Sequence, residues 1–212
     1  TKLHNFLVEK SQETHIVSDK AAELCQSTES IFIELSEFKT GSNIEKTCQI
    51  AQTAAQQVGE MFAEKIQANI INQQDLFNFT YQKIANTTPQ KYHSSFDDFT
   101  DKYLPAIQES ILQNNTDIVY AGAVDINGYF PTHNQCFSKP LTGDITTDTM
   151  NNRTKRIFDD STGSRCGSHT NKFLLQTYKR DTGEVMHDVS APIYVNGKHW
   201  GGFRIGFTAQ SS

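Results

Sequence analysis

No stretch of this chain approaches the roughly 20 consecutive apolar residues needed to cross a bilayer, and no charged-then-apolar leader is present. The expectation is a soluble piece without direct membrane insertion, and one that begins in mid-pattern, as an excised part of a longer protein does. A block of basic residues is also lacking. With 19 Lys and Arg against 24 Asp and Glu, the formal net charge is -5, which argues against nucleic acid or an anionic membrane as the main partner. Cysteine is scarce, with four in 212 residues. That is sparse for a disulfide-built secreted scaffold and favours a reducing compartment. There is no phosphate-cradling glycine loop, no Gly-x-Ser-x-Gly elbow and no Cys-x-x-Cys-His for covalent haem. Cys166 and His169 stand three apart in a loop, where nothing orients the histidine as a base. An enzyme is not expected.

What is present is most readable from Tyr178 to Phe207. Two alternating apolar-polar runs, Glu184 to Val195 and His199 to Phe207, flank Asn196-Gly197, a dipeptide suited to the positive φ values of a tight hairpin turn. A second turn at Thr182-Gly183 joins the first run to Phe173 to Lys179, so three consecutive antiparallel strands are predicted. An earlier strand, Asp117 to Val124, is nearly all apolar, as in a strand covered on both faces. Asp125 to Gly128 turns the chain and Tyr129 to Thr132 returns. No strand pattern appears between Gln135 and Lys172.

The first third reads as helix. From Thr1 to Phe38 a seven-residue step runs through Leu3, Lys10, Val17, Leu24, Ile31 and Phe38, and through Leu7, Thr14, Ala21, Thr28 and Leu35. This is the seam of a coiled-coil stalk, and the alternative is an amphipathic helix packed on its own domain. After Lys39-Thr40-Gly41, Ser42 and Glu45 form a capping box for a helix to about Ile71, with Ile44, Cys48, Ala51, Ala55, Val58, Phe62, Ile66 and Ile70 on its apolar face. Cys48 there reads as a small buried hydrophobe. Asp75 is placed to cap a short helix, Leu76 to Ile84. Asn86 to Gln90 is a polar loop, and Ser95 to Gln113 is helical with a kink or boundary at Pro105. The division expected is a stalk helix over 1–41, a helical segment over 42–116 and a sheet domain over 117–212, hence an α+β chain.

Several of these segments carry a resemblance. The Asp-x-Gly turn, Ser190-Ala191-Pro192-Ile193-Tyr194, Gly197 and Gly201-Gly202 resemble the closing hairpin of Cache domains, the PAS-like ligand sensors of bacterial chemoreceptors. Asp125 to Asn134 and Asn152 to Asp160 are similar to a subgroup attached to methyl-accepting chemotaxis proteins. The resemblance implies a five- or six-stranded antiparallel sheet with helices on one side, a small-molecule ligand, and a homodimer formed through the N-terminal helices. Signalling would run to the receptor's own helical hairpin. The subgroup's domain order, with the polar ending Thr208 to Ser212, implies a cytoplasmic location; the alternative is a periplasmic sensor of a membrane receptor.

Candidate site residues collect in the crossover. Arg153 and Arg156, three apart in a predicted helix from Met150 to Phe158, share a face, and two guanidinium forks suit a carboxylate or other small anion. Asp159 and Asp160 offer the plainer alternative of pairing with them. His133, Tyr129, Tyr178, Asp188 and Trp200 complete the expected ligand-binding set, Trp200 as a pocket wall or a sheet-rim residue. His133-x-x-Cys136 and Cys166-x-x-His169 also make a mirrored pair with the ligand types of a tetrahedral zinc site. A Cys136 to Cys166 disulfide is a further option. No cofactor is required, but zinc or haem would make this a metal or redox sensor. A purely structural dimerisation module is the remaining alternative.

Overall fold

The computed structural model of the chain describes residues 6–8, 10–18, 20–21, 24, 27, 43–179 and 185–208, and the chain divides into two units, Thr1–Thr40 and Gly41–Ser212. In the first unit the described residues are helical with exposed side chains. Of the seam positions, Leu7, Lys10, Thr14, Val17, Ala21 and Leu24 are described, and all are exposed; the rest lie outside the described residues. No long coiled-coil stalk is evident among the described residues. Nor is any helix among them long and apolar enough to cross a membrane.

The second unit opens with α1 (Asn43–Gln67). Its buried side is lined by small residues, Ala51, Ala54, Ala55 and Gly59, followed by Val58 and Phe62. A Cβ on Gly59 would lie 2.3 Å from the Tyr194 carbonyl oxygen, so the absence of one lets helix and sheet approach closely. The helix stops four residues before Ile71. Asn69 adopts a positive φ of 55°, and the Ile70 and Asn69 amides donate back to the Lys65 and Ile66 carbonyls, which is a Schellman termination. Ile70 consequently lies beyond the helix and is half exposed. The Ser42 cap lies outside the described residues.

Asn72, not Asp75, caps the next helix, α2 (Gln73–Leu76), by accepting from the Asp75 amide. That helix is one turn long. The predicted helix to Ile84 is instead β1 (Gln82–Ile84), paired with β2 (Lys91–His93) across the polar loop that holds Pro89. Pro105 proves to be a boundary, between α3 (Asp97–Tyr103) and α4 (Pro105–Asn114), as a proline at the first helical position allows.

The main sheet comprises β3 (Ile118–Asp125), β6 (Leu174–Lys179), β7 (Val185–Val195) and β8 (Lys198–Phe207) in the order β3-β8-β7-β6, all antiparallel. Asn196 and Gly197 take φ values of 50° and 78° at the β7-β8 turn. The predicted turn at Thr182-Gly183 lies outside the described residues, but the pairing of Leu174–Lys179 with β7 is as expected. Among the described residues the sheet has four strands rather than five or six. The return strand, β4 (Tyr129–Phe130), pairs not with β3 but with β5 (Arg156–Ile157), a strand where none was expected. Asp125 directs this departure: its Oδ1 accepts from the Asn127 and Tyr129 amides, an Asx-type turn that swings the chain off the sheet.

Helices cover both faces, not one. α1 packs on β7 and β8 from behind, and α6 (Ser161–Ser168) packs on β8, β7 and β3 from the front. A Cβ on Gly202 would lie 2.0 Å from the Cys166 carbonyl oxygen, so this second close approach also depends on a glycine. Behind the sheet, Phe62 meets Trp200 and Phe99 at ring-centroid distances of 5.0 and 5.3 Å.

Candidate functional site

The face of the sheet opposite α1 is polar. Register places Tyr120, Arg204, Asp188 and Tyr178 on this side, from all four strands. Above them lies a cavity of about 580 Å³. Its roof comes from the segment after α5 (Ile145–Asn151), that is Arg153, Arg156 of β5, Phe158 and the start of α6, all within the predicted loop-rich crossover.

Three arginines reach the cavity. The guanidinium carbons of Arg156, Arg153 and Arg204 lie 4.9, 5.3 and 5.9 Å from the centroid of the Phe158 ring, close enough for cation–π attraction. The predicted helix holding Arg153 and Arg156 does not form: α5 ends at Asn151, Lys155 takes a φ of 59°, and Arg156 stands on β5. Both arginines nevertheless line one cavity. They meet through the left-handed turn at Lys155 instead of along a helix face.

Arg204 is tied down below. Its Nε and a terminal nitrogen donate to Asp188 Oδ2 at 3.0 and 2.8 Å, and both side chains are almost fully buried. The same carboxylate accepts from the Tyr120 hydroxyl, and its other oxygen accepts from the Cys166 thiol at 2.9 Å. Three strands and α6 thus join at one carboxylate. Burial pushes the Tyr120 hydroxyl and the Cys166 thiol well up, and the Asp188 charge adds to both shifts. For Arg204, burial acts to lower the value, but Asp188 and its neighbours outweigh it and the net shift is upward. Tyr120 shares a hydroxyl contact with Tyr178 at 3.1 Å.

His133 stacks on Phe130 at 4.1 Å and 18°. Its Nδ1 accepts from the Asn134 amide at 2.8 Å, which assigns the ring proton to Nε2 in the neutral form. Of the residues in the expected ligand-binding set, His133, Arg153, Arg156 and Tyr178 line the cavity. Asp188 lies directly beneath it through Arg204.

Two expected residues do not reach it. Tyr129 is fully buried, with its hydroxyl donating to Asp97. Trp200 is also fully buried, packs on Phe62 and Phe96, and donates from Nε1 to the Leu76 carbonyl at 2.9 Å. Strict alternation put Trp200 on Arg204's side. The register shift between Ile193 and Tyr194 makes Trp200 the extra residue of a bulge, and a bulge re-aims its side chain.

Nor do the four predicted metal ligands come together. Cys136 is exposed in a single 3-10 turn (Gln135–Phe137), whereas Cys166 is buried against Asp188 and the His169 ring bonds to the Ser190 hydroxyl at 2.9 Å. Among the described residues no three His, Cys, Asp or Glu side chains are grouped to hold a metal ion. Cys136 and Cys166 are both free thiols, so the optional disulfide is not formed.

Sequence reasoning missed Tyr120, Phe130, Phe158 and Arg204 as lining residues. Arg204 carried a signal, an arginine in the middle of an apolar closing strand, since a buried charge requires a partner. Compared with known protein families, curated proteins and solved structures, the chain shows no match.

Proposed function

We propose that the second unit is a ligand-sensing domain that takes a small anion into the cavity between the sheet and the segment from Arg153 to Thr162. The convergence of Arg153, Arg156 and Arg204 on one cavity carries this reading. Guanidinium groups present paired donors that match a carboxylate, and aromatic walls exclude water and strengthen the attraction. A cavity of this kind favours ligand binding over a purely structural dimerisation role. The resemblance to Cache domains of methyl-accepting chemotaxis proteins gives the context: a dimeric cytoplasmic receptor whose helices pass the signal to its own hairpin. Within the fold, a ligand that draws on Arg204 perturbs the Asp188 junction, and with it β7 and β8, on whose far side α1 packs.

Native mass spectrometry of the purified protein, repeated under denaturing conditions, tests the reading. An organic anion retained natively, released on denaturation and lost in Arg153→Ala is the expected result. Retention of the same mass by Arg153→Ala and Arg156→Ala alike would place it elsewhere and defeat the reading.

A further inference from the structure

The turn that presents Arg153 and Arg156 to the cavity is gripped by a residue that does not line it. Lys91 of β2 is buried, and its ammonium donates to the side-chain oxygen of Asn152 and to the carbonyl of Thr154, the residues on either side of Arg153. Asn152 passes the hold along by donating to the Lys139 carbonyl at 2.6 Å. Main-chain bonds add to it: the Arg153 amide donates to the Phe137 carbonyl at 2.7 Å, the Lys155 amide to the Phe130 carbonyl at 2.8 Å, and the Tyr92 amide, next to Lys91, to the Lys155 carbonyl at 2.8 Å. The Lys155 side chain reaches Asp101 and Asp97 of α3 at 2.7 and 3.4 Å. A turn built around a left-handed lysine is not a conformation the chain adopts for its own sake, so these partners decide where Arg153 points. Lys91 differs from the others in bringing a buried charge to two neutral acceptors. The charged groups that face it are Arg156 and Lys155, which repel it, and Asp148 of α5, which attracts it; burial first, then the two cations, bring its value down to about 8 against the pull of Asp148.

We infer that Lys91 is a positioning residue for the anion site: its ammonium fixes the turn from Asn152 to Thr154, so that Arg153 enters the cavity ready for the ligand, and loss of the ammonium loosens the site. This rests on the anion-site reading above. Charge-assisted hydrogen bonds are about twice as strong as neutral ones, and the neutral amine can offer only the weaker kind. An anion held by the fixed turn favours protonated Lys91, so by the same coupling its affinity falls as the pH rises past about 8. Tyr120 and Cys166 at the Asp188 junction are pushed upward by burial and do not titrate in that range.

Titration calorimetry on the full chain with benzoate, acetate and sulfate, probe anions whose own charge is constant from about pH 7 to about pH 9.5, tests the inference. In the wild type, affinity for the anion that binds is expected to fall about 3- to 10-fold over that range. Lys91→Met, which keeps the length of the side chain without its charge, should bind about 5- to 20-fold more weakly at the lower pH and show no further fall. Lys91→Arg, charged throughout, should stay near the wild-type affinity with a flat profile, and carries the test if Lys91→Met does not fold. A flat wild-type profile, the wild-type fall reproduced in either variant, or full affinity in Lys91→Met overturns the inference and leaves the anion site standing while Arg153→Ala still abolishes binding. Binding by none of the three anions, or binding that Arg153→Ala leaves unchanged, overturns the anion site and the inference together.

Discussion

One sheet carries two faces built on opposite terms. Behind it, α1 brings the apolar side chains of Ala54, Ala55, Val58 and Phe62 against the sheet, and Trp200 donates to the Leu76 carbonyl of α2. In front of it, Asp188, Arg204, Tyr120 and Cys166 are just as deeply buried, but every one is held by a directed polar contact. Burial of such groups costs more than burial of apolar ones unless each is satisfied. Groups perturbed by burial and by one another in this way are the mark of a candidate site, and we place the proposed ligand site on this face for that reason.

The largest effects should separate the faces. Asp188→Ala leaves Arg204 charged and buried without its carboxylate, and is expected to cost about 3 to 5 kcal/mol in urea unfolding. Phe62→Ala on the rear face should cost a similar amount, about 3 to 5 kcal/mol. The two should part in ligand binding, which Phe62→Ala preserves at a temperature where it remains folded and Asp188→Ala abolishes. Loss of benzoate binding in both would mean that the faces are not independent.

A smaller effect comes from pH. Burial lowers the His169 value to about 4, below the ordinary histidine value near 6.5. The unfolded chain therefore binds the proton first, and stability from this residue, full above about pH 6.5, is lost as the pH falls toward 4. Asp125 slopes the other way, because burial raises it to about 6 and the folded state then holds the extra proton on acidification. The difference between wild type and His169→Gln in thermal melts from pH 7 to 4 isolates the histidine; parallel curves would refute its assignment. Smallest of all, Cys136→Ser should alter stability by less than about 0.5 kcal/mol and leave the zinc content of the purified protein unchanged. A loss of bound zinc would revive the His133, Cys136, Cys166 and His169 reading.

The rear face and its strands were legible in the sequence because they follow simple periods. Alternation located β7 and β8, Asn196-Gly197 their turn, and the spacing of Ala51, Ala55, Val58 and Phe62 the buried side of α1. The front face was legible only in its residue types. Arg153 and Arg156 were recognisable as anion-binding chemistry, and His133 and Tyr178 as further candidate pocket residues, but the path that unites them runs through Lys155 at positive φ and a two-residue strand, neither of which has a period. Tyr129 and Trp200 were misplaced for a related reason. The Asx turn at Asp125 and the bulge at Trp200 each break the alternation of the residues on either side. The helix expected over Leu76 to Ile84 failed because Gln82–Ile84 pair as a strand with Lys91–His93 on the far side of Pro89.

The arginine side chains themselves give the most direct test of the proposed site. Nitrogen–proton spectra of the guanidinium groups, assigned by single Arg→Lys variants and followed while benzoate is added, would report each one separately. Saturable shifts are predicted at Arg153 and Arg156, with a smaller shift at Arg204 because Asp188 already holds it. Shifts confined to arginines outside the cavity, or none at any concentration, would contradict the claim that this face of the sheet is where the protein takes its ligand.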